Sequence, residues 1–177
     1  MISVIVLTQD EIINIKLCLA SVAWSEDELV NDSGSTDGTV DVATRAGARV
    51  FHHPFDNFAN QRNIALDEGQ LKYEWVLHLD ADEEVSPELH SEMQLIAKRD
   101  EGTPGYLVPS KLMLMGQWLK HSGMYPAYQA RFGKRDALRF EMVGHGQREC
   151  LESSELGTLQ GALIHHNFSK GISEWIS

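Results

Sequence analysis

The residues of this chain with the clearest chemical potential are carboxylates set directly behind apolar runs. Asp80-Ala81-Asp82-Glu83-Glu84 follows "WVLHL", and Asp32-Ser33-Gly34-Ser35 follows "ELVN". Like charge gathered at such a place calls for a cation. Two aspartates one residue apart can hold a hard divalent ion through oxygen, and such an ion in turn bridges the oxygens of a diphosphate. The chemistry these residues point to is Mn²⁺ or Mg²⁺ carrying a nucleotide diphosphate.

The elements that must position them can be read from periodicity. "ISVIVLT" (2–8) is continuously apolar and reads as a buried strand. Residues 11–23 place Ile12, Ile15, Leu19 and Val22 on one helical face. A short strand over 28–31 is followed by a helix over 35–47 that opens on cap-type residues and closes on Gly47. A third strand (48–53), a helix (58–69) and a fourth strand (73–80) complete a β-α-β-α-β-α-β order. Such alternation predicts an α/β fold, a Rossmann-like mostly parallel sheet with helices on both faces, and ligands bound at the carboxyl edge of the strands. Thr8, Gln9, Asp10 and Glu11, then Asp32 to Ser35, then Asp80 to Asp82 all fall on that edge. Gly34 would let backbone approach a ligand, and a helix starting near Thr36 would offer N–H groups to an anion.

Composition narrows the function classes. With 177 residues, 42% of them hydrophobic, the chain is expected to form one domain spanning 1–177. Fifteen basic against 26 acidic residues give a formal charge of −11, which argues against a nucleic-acid partner. Cys18 and Cys150 lie in no metal-ligand spacing and are expected to be reduced, packed thiols of a cytoplasmic protein. No run approaches the ~18–20 apolar residues that span a bilayer. The stretch "TQDEIIN" after the first strand has no glycine, which excludes the dinucleotide fingerprint.

Several features have plain structural readings. Glu83 and Glu84 are expected to be a solvated entry to a helix that begins at Ser86-Pro87, because acids favour the positive end of a helix. His52 and His53 form an adjacent pair without a partner at ligand spacing, and read as loop. Met113, Met115 and Trp118 read as core or as the lining of an acceptor groove.

The combination "ISVIVLTQDE", "DSGSTDGTVDVATRAGARVF", "FANQRNIAL" and "WVLHLDADEEVSPEL" resembles the nucleotide-binding half of family 2 glycosyltransferases with the GT-A fold, over residues 2 to 100. "YPAYQARF", "RFEMVGHGQRE" and "HHNFSKGISEW" are similar to bacterial lipopolysaccharide-core-type transferases. The resemblance implies a nucleotide-sugar-binding half (1–100) and a mixed acceptor-side half (101–177), with the C-terminal helix cut short. It implies that Thr8 and Glu11 line the nucleoside pocket, that Asp32 accepts from the base, and that Ser33, Gly34, Ser35 and Asp37 turn under the ribose and phosphate. Asp80 and Ala81 then face the ribose or the metal's water shell, and Asp82, of a DXD motif, ligates the metal. Gln61, Arg62 and Asn63 would support the sugar or phosphate, and His165 would face the metal and diphosphate. Glu149 and His145 are the candidates for the base that deprotonates the acceptor hydroxyl.

The function implied is a metal-dependent, inverting transfer of a sugar, from a donor such as a UDP-sugar to a glycan or lipid-linked acceptor of the cell envelope. Peripheral association with the inner face of the cytoplasmic membrane is compatible with that. A nucleotidyltransferase or a catalytically degenerate sugar-nucleotide-binding protein are the alternatives. The former usually carries a glycine-rich loop and a basic residue after the first strand.

Overall fold

The structure is a computed structural model, and it describes residues 1–120, 125–144 and 146–171. The first half runs β1 (Ile2–Thr8), α1 (Ile15–Val22), β2 (Glu28–Asp32), α2 (Thr39–Arg45), β3 (Arg49–His52), α3 (Phe58–Glu68) and β4 (Trp75–Asp80). It continues through a short β5 (Glu83–Val85) and α4 (Pro87–Arg99). The second half is almost all strand: β6 (Gly105–Leu114), β7 (Gln117–Trp118), β8 (Ala127–Lys134), β9 (Phe140–Val143), β10 (Gly146–Glu149), β11 (Leu156–Thr158) and β12 (Leu163–His165).

The sheet order is β3-β2-β1-β4-β8-β6-β12-β5. β3, β2, β1 and β4 are mutually parallel. Beyond β4 the sheet turns mixed, because β8 is antiparallel to both β4 and β6 and β12 is antiparallel to β5. Alternation along β1 divides the core. Val4 and Val6 pack with Cys18 and Leu19 of α1, Ala43 of α2, and Leu89 and Met93 of α4. Ile5, between them, packs with Ala65 and Leu66 of α3 on the opposite face. Helices therefore cover both faces, and this is why β1 reads as continuously apolar. Among the described residues no helix is long and apolar enough to cross a membrane.

Local chemistry explains most element ends. Ser86 caps α4 by accepting the Leu89 N–H at 3.2 Å, with Pro87 at the first position of the helix. Asn57 caps α3 in the same way, from the Asn60 N–H. Two expectations are corrected here. α1 begins at Ile15, so Ile12 precedes it and is exposed rather than part of its buried face. α2 begins at Thr39 after Gly38, whose φ of 95° turns the chain into the helix, so the helix does not start near Thr36. β6 runs unbroken through Pro109. That proline falls where β6 exchanges one neighbour for another, β11 ending opposite Leu107 and β12 starting opposite Ser110. The gap leaves an edge of Pro109 without a ladder partner, a place that tolerates a residue lacking an N–H.

Cys18 is buried, as expected, but Cys150 is exposed. Met115 is exposed at the β6–β7 turn and is not core.

Candidate active site

Strand register assembles the site. β1 pairs Thr8 with Asp32 on one side and Leu7 with Asp80 on the other, so three strand ends stand abreast. Ser33 N–H and Ala81 N–H then donate back to Thr8 O and Leu7 O, at 2.9 and 3.0 Å.

The loops after β1 and β2 are cross-braced by their own acids. Asp10 Oδ1 accepts the Thr36 N–H at 2.7 Å, and Asp37 Oδ2 accepts the Ile12 N–H at 3.0 Å. Asp37 Oδ1 accepts the Thr39 N–H at 3.0 Å. Two of the N–H groups expected to meet an anion, those of Thr36 and Thr39, are thus already used. Asp32 is 1% exposed, and its carboxylate accepts from the Gly34 and Ser35 N–H groups at 3.0 and 3.1 Å. His52 Nδ1 lies 3.3 Å from the same carboxylate. Asp32, Gly34, Ser35 and Asp37 therefore shape the loop, while Ser33 is the member that reaches the cavity beside it.

That cavity holds about 340 Å³ and brings together Thr8, Glu11, Ser33 and Gln61 with Asp80, Ala81 and Asp82. Thr8 Oγ1 is buried there and has no hydrogen-bond partner, which leaves it available to a ligand after a small movement. A second cavity of about 360 Å³ adjoins it, lined by Arg62, Arg131, Phe140, Gln147 and Glu149. Asp80 and Phe58 line both.

Asp80 is the electrostatic centre. Its Oδ1 accepts from Arg62 Nη2 at 2.8 Å and its Oδ2 from Arg131 Nη2 at 2.7 Å. Both arginines are buried, at 1% and 3% exposure. Burial alone would raise the Asp80 pKa, but Arg131 and then Arg62 hold it well below the usual carboxylate range. Burial brings Arg62 down to about 10, with Arg131 acting in the same direction and Asp80 opposing. Asp80 was expected among the metal ligands, yet its charge is committed to two guanidinium groups.

Glu83, expected to be solvated, is 2% exposed in β5, 3.3 Å from Arg131, and accepts the Asp80 N–H at 2.9 Å. Burial pushes its pKa up, against the pull of Arg131. A sharp turn after Asp80 places the residue in a strand rather than at a helix entry. Glu84 pairs with His166, whose Nε2 lies 2.5 Å from its Oε1.

β5 pairs with β12 so that Glu83 stands opposite His165. This brings His165 Nε2 to 3.1 Å from Asp82 Oδ2, across 83 residues of sequence. Burial disfavours the imidazolium, but the Asp82 hydrogen bond and charge outweigh it and raise the His165 pKa. A carboxylate beside an imidazole offers one oxygen and one nitrogen donor to a divalent ion. Among the described residues no group of three His, Cys, Asp or Glu side chains is arranged to hold a metal. A divalent ion here would take Asp82 and His165 from the protein and fill its remaining positions with ligand oxygens and water.

Asp82 and Glu11 also line a third cavity of about 210 Å³, with Ser169 and Lys170. Lys170 Nζ lies 2.7 Å from Glu11 Oε1.

The stretch Gln61-Arg62-Asn63, expected to serve the donor together, sends its side chains three ways. Gln61 Nε2 donates to Pro54 O at 2.9 Å and its Oε1 accepts from Asn31, so it lines the first cavity while bracing the turn before α3. Arg62 reaches Asp80 and the second cavity. Asn63 donates to Phe140 O at 2.8 Å and accepts the Phe140 N–H at 3.1 Å, pinning the β9–β10 hairpin to α3. That hairpin carries Glu149 into the lining of the second cavity, which Asp80 also borders. His145, the other base candidate, lies outside the described residues.

Three contributors were missed. Arg131 stands alone as a charge in the buried end of β8, and an arginine pointing inward along a strand was the available signal. Phe55 and Phe58 flank the Asp56-Asn57 cap of α3 and line the first cavity. Two large apolar residues in an otherwise polar cap were their signal.

The fold has counterparts among known proteins. The profile described as Glycosyl transferase family 2 matches residues 3–143. An uncharacterized glycosyltransferase of Rickettsia bellii is 40% identical over 96 residues, 54% of this chain and 32% of the relative. The lipopolysaccharide core biosynthesis glycosyltransferase LpsC of Rhizobium meliloti is 26% identical over 155 residues, 84% of this chain and 56% of LpsC. The chain thus spans between about a third and a little over half of the length of these relatives. Glucosyl-3-phosphoglycerate synthase from Mycobacterium tuberculosis, solved with Mn²⁺, UDP and glucosyl-3-phosphoglycerate, superposes with a TM-score of 0.67 at 18% identity. The match covers 99% of this chain and 74% of the synthase, and it establishes the shared GT-A fold.

Proposed function

The chain belongs to glycosyltransferase family 2, and from that premise we propose that it transfers a sugar from a nucleotide diphosphate, a UDP-sugar, to a hydroxyl of a glycan or lipid-linked acceptor, with inversion at the anomeric carbon. The observation that carries this reading is the junction of two cavities at Asp80 and Phe58, one edged by Thr8, Glu11 and Asp82 and the other by Glu149. A transfer between two substrates needs two binding spaces that meet at the reacting bond.

The chemistry divides accordingly. Thr8, Glu11 and Ser33 border the space for the nucleoside. Asp82 and His165 would hold Mn²⁺ or Mg²⁺, which when bound supplies positive charge to the departing diphosphate. Asp80, oriented by Arg62 and Arg131, forms the rigid floor between donor and acceptor. Glu149 takes the proton of the acceptor hydroxyl as that oxygen attacks from the second cavity. The fold relatives solved with UDP and Mn²⁺ support the donor and ion classes, and the likeness to LpsC supports an acceptor of the cell envelope. We place the reaction in the cytoplasm, at the inner face of the membrane where the acceptor is lipid-linked.

Calorimetry of UDP binding with and without Mn²⁺ tests this. The expected outcome is binding that strengthens at least tenfold with the metal. UDP binding unaffected by Mn²⁺ would overturn the metal assignment, and no binding under either condition would overturn the donor class.

A further inference from the structure

Phe55 and Phe58 are each 47% exposed, although they sit on a wall that is otherwise held tightly. Asn57 Oδ1 accepts the Asn60 N–H at 2.8 Å, Asn60 Nδ2 donates to Asp56 Oδ2, and Gln61 Nε2 donates to Pro54 O at 2.9 Å. The rings stand edge to face with centroids 5.1 Å apart. A braced segment that presents two apolar rings to a cavity is preorganised to receive an apolar surface, since little ordering remains to be done on binding.

The two rings differ in position. Phe55 borders only the donor-side cavity, whereas Phe58 and Asp80 border both. Whatever moves from donor to acceptor must be bound where the two spaces meet, while the base and ribose need not come there. A pyranose has a C–H face that packs on an aromatic ring and a rim of hydroxyls that needs polar partners. Phe58 and Asp80, which line the same two cavities, offer that combination.

We propose that Phe58 is the platform on which the transferred sugar rests during the reaction, with Phe55 bracing it edge-on. This rests on the glycosyl-transfer reading. It identifies Phe58 as a determinant of sugar binding rather than of nucleotide binding.

The test compares UDP with the UDP-hexose that the wild type hydrolyses fastest among UDP-glucose, UDP-galactose and UDP-N-acetylglucosamine. Phe58→Ala should leave the Kd of UDP within about twofold, while weakening the UDP-hexose and slowing its hydrolysis by about tenfold, the scale of one aromatic contact. Phe58→Tyr, which keeps the ring, should restore both, and Phe58→Leu, which keeps only bulk, should not. Equal weakening of UDP and UDP-hexose would make Phe58 a nucleotide contact and overturn the proposal. Unchanged hexose binding in Phe58→Ala, or full activity in Phe58→Leu, would overturn it as well. A wild type that binds no UDP overturns the glycosyl-transfer reading and this proposal with it, an outcome visible before any variant is made.

Discussion

Asp80 Oδ2 and Arg131 Nη2 lie 2.7 Å apart, joining the end of β4 in the parallel half of the sheet to β8 in the mixed half. Arg131 also faces Glu83 at 3.3 Å, so a single guanidinium neutralises carboxylates on both arms of the turn that presents Asp82. Removing it should unbalance the whole turn. Arg131→Met is expected to lower stability by roughly 2–4 kcal/mol, because the buried Glu83 loses the guanidinium that faces it. Urea denaturation measures this, and a loss below about 0.5 kcal/mol would show that the cluster is not what holds the two halves in register.

Asp82, on the same turn, and His165, on the neighbouring β12, should behave differently. Their side chains are 21% and 28% exposed and neither belongs to the apolar core. Asp82→Asn and His165→Ala should each leave the melting temperature nearly unchanged, and reduce Mn²⁺-dependent transfer by roughly 10²-fold or more if several kcal/mol of charge stabilisation are lost. Mn²⁺ titration of UDP binding gives an independent check, since both variants should require more metal.

The assignment of Glu149 separates chemistry from binding. Glu149→Gln should lower turnover by ~10²–10⁴ while UDP affinity stays at the wild-type value. His145→Asn should lower it less. The reverse ranking, accompanied by a wild-type rate that falls below about pH 6.5 as an imidazole protonates, would move the role to His145.

Glu28, at the start of β2 and half-buried, has its pKa raised by burial from 4.5 to about 7. Between those values the folded chain holds a proton that the unfolded chain releases. The protonated form therefore favours folding at low pH, and this contribution is lost as pH rises through 7. Glu28→Gln keeps a neutral side chain at every pH. The variant should melt with the wild type near pH 4.5 and above it at pH 8, and a difference independent of pH would refute the assignment.

Much of the donor-side half was legible in the sequence because its determinants are local. The continuous apolar run of β1 marks a strand covered on both faces, Ser86-Pro87 marks the start of α4, and strict β-α alternation forces the parallel order that brings Thr8, Asp32 and Asp80 abreast. Those three positions follow from strand ends alone, without knowledge of any long-range contact.

What those side chains then do was decided by tertiary structure. Asp32 and Asp80 are both acids at strand ends, yet one is consumed by the backbone of its own loop and the other by arginines from α3 and β8. Glu83 reads as a solvated acid at a helix entry, but a sharp turn carries it into β5 and against Arg131. Asp82 meets His165 only because β12 pairs with β5, and Glu149 reaches its cavity only because Asn63 pins the β9–β10 hairpin to α3. The physical reason is the same in each case. Periodicity and caps report the free energy of a segment with its neighbours in sequence, whereas the partner of a charge depends on which distant strand closes the ladder beside it.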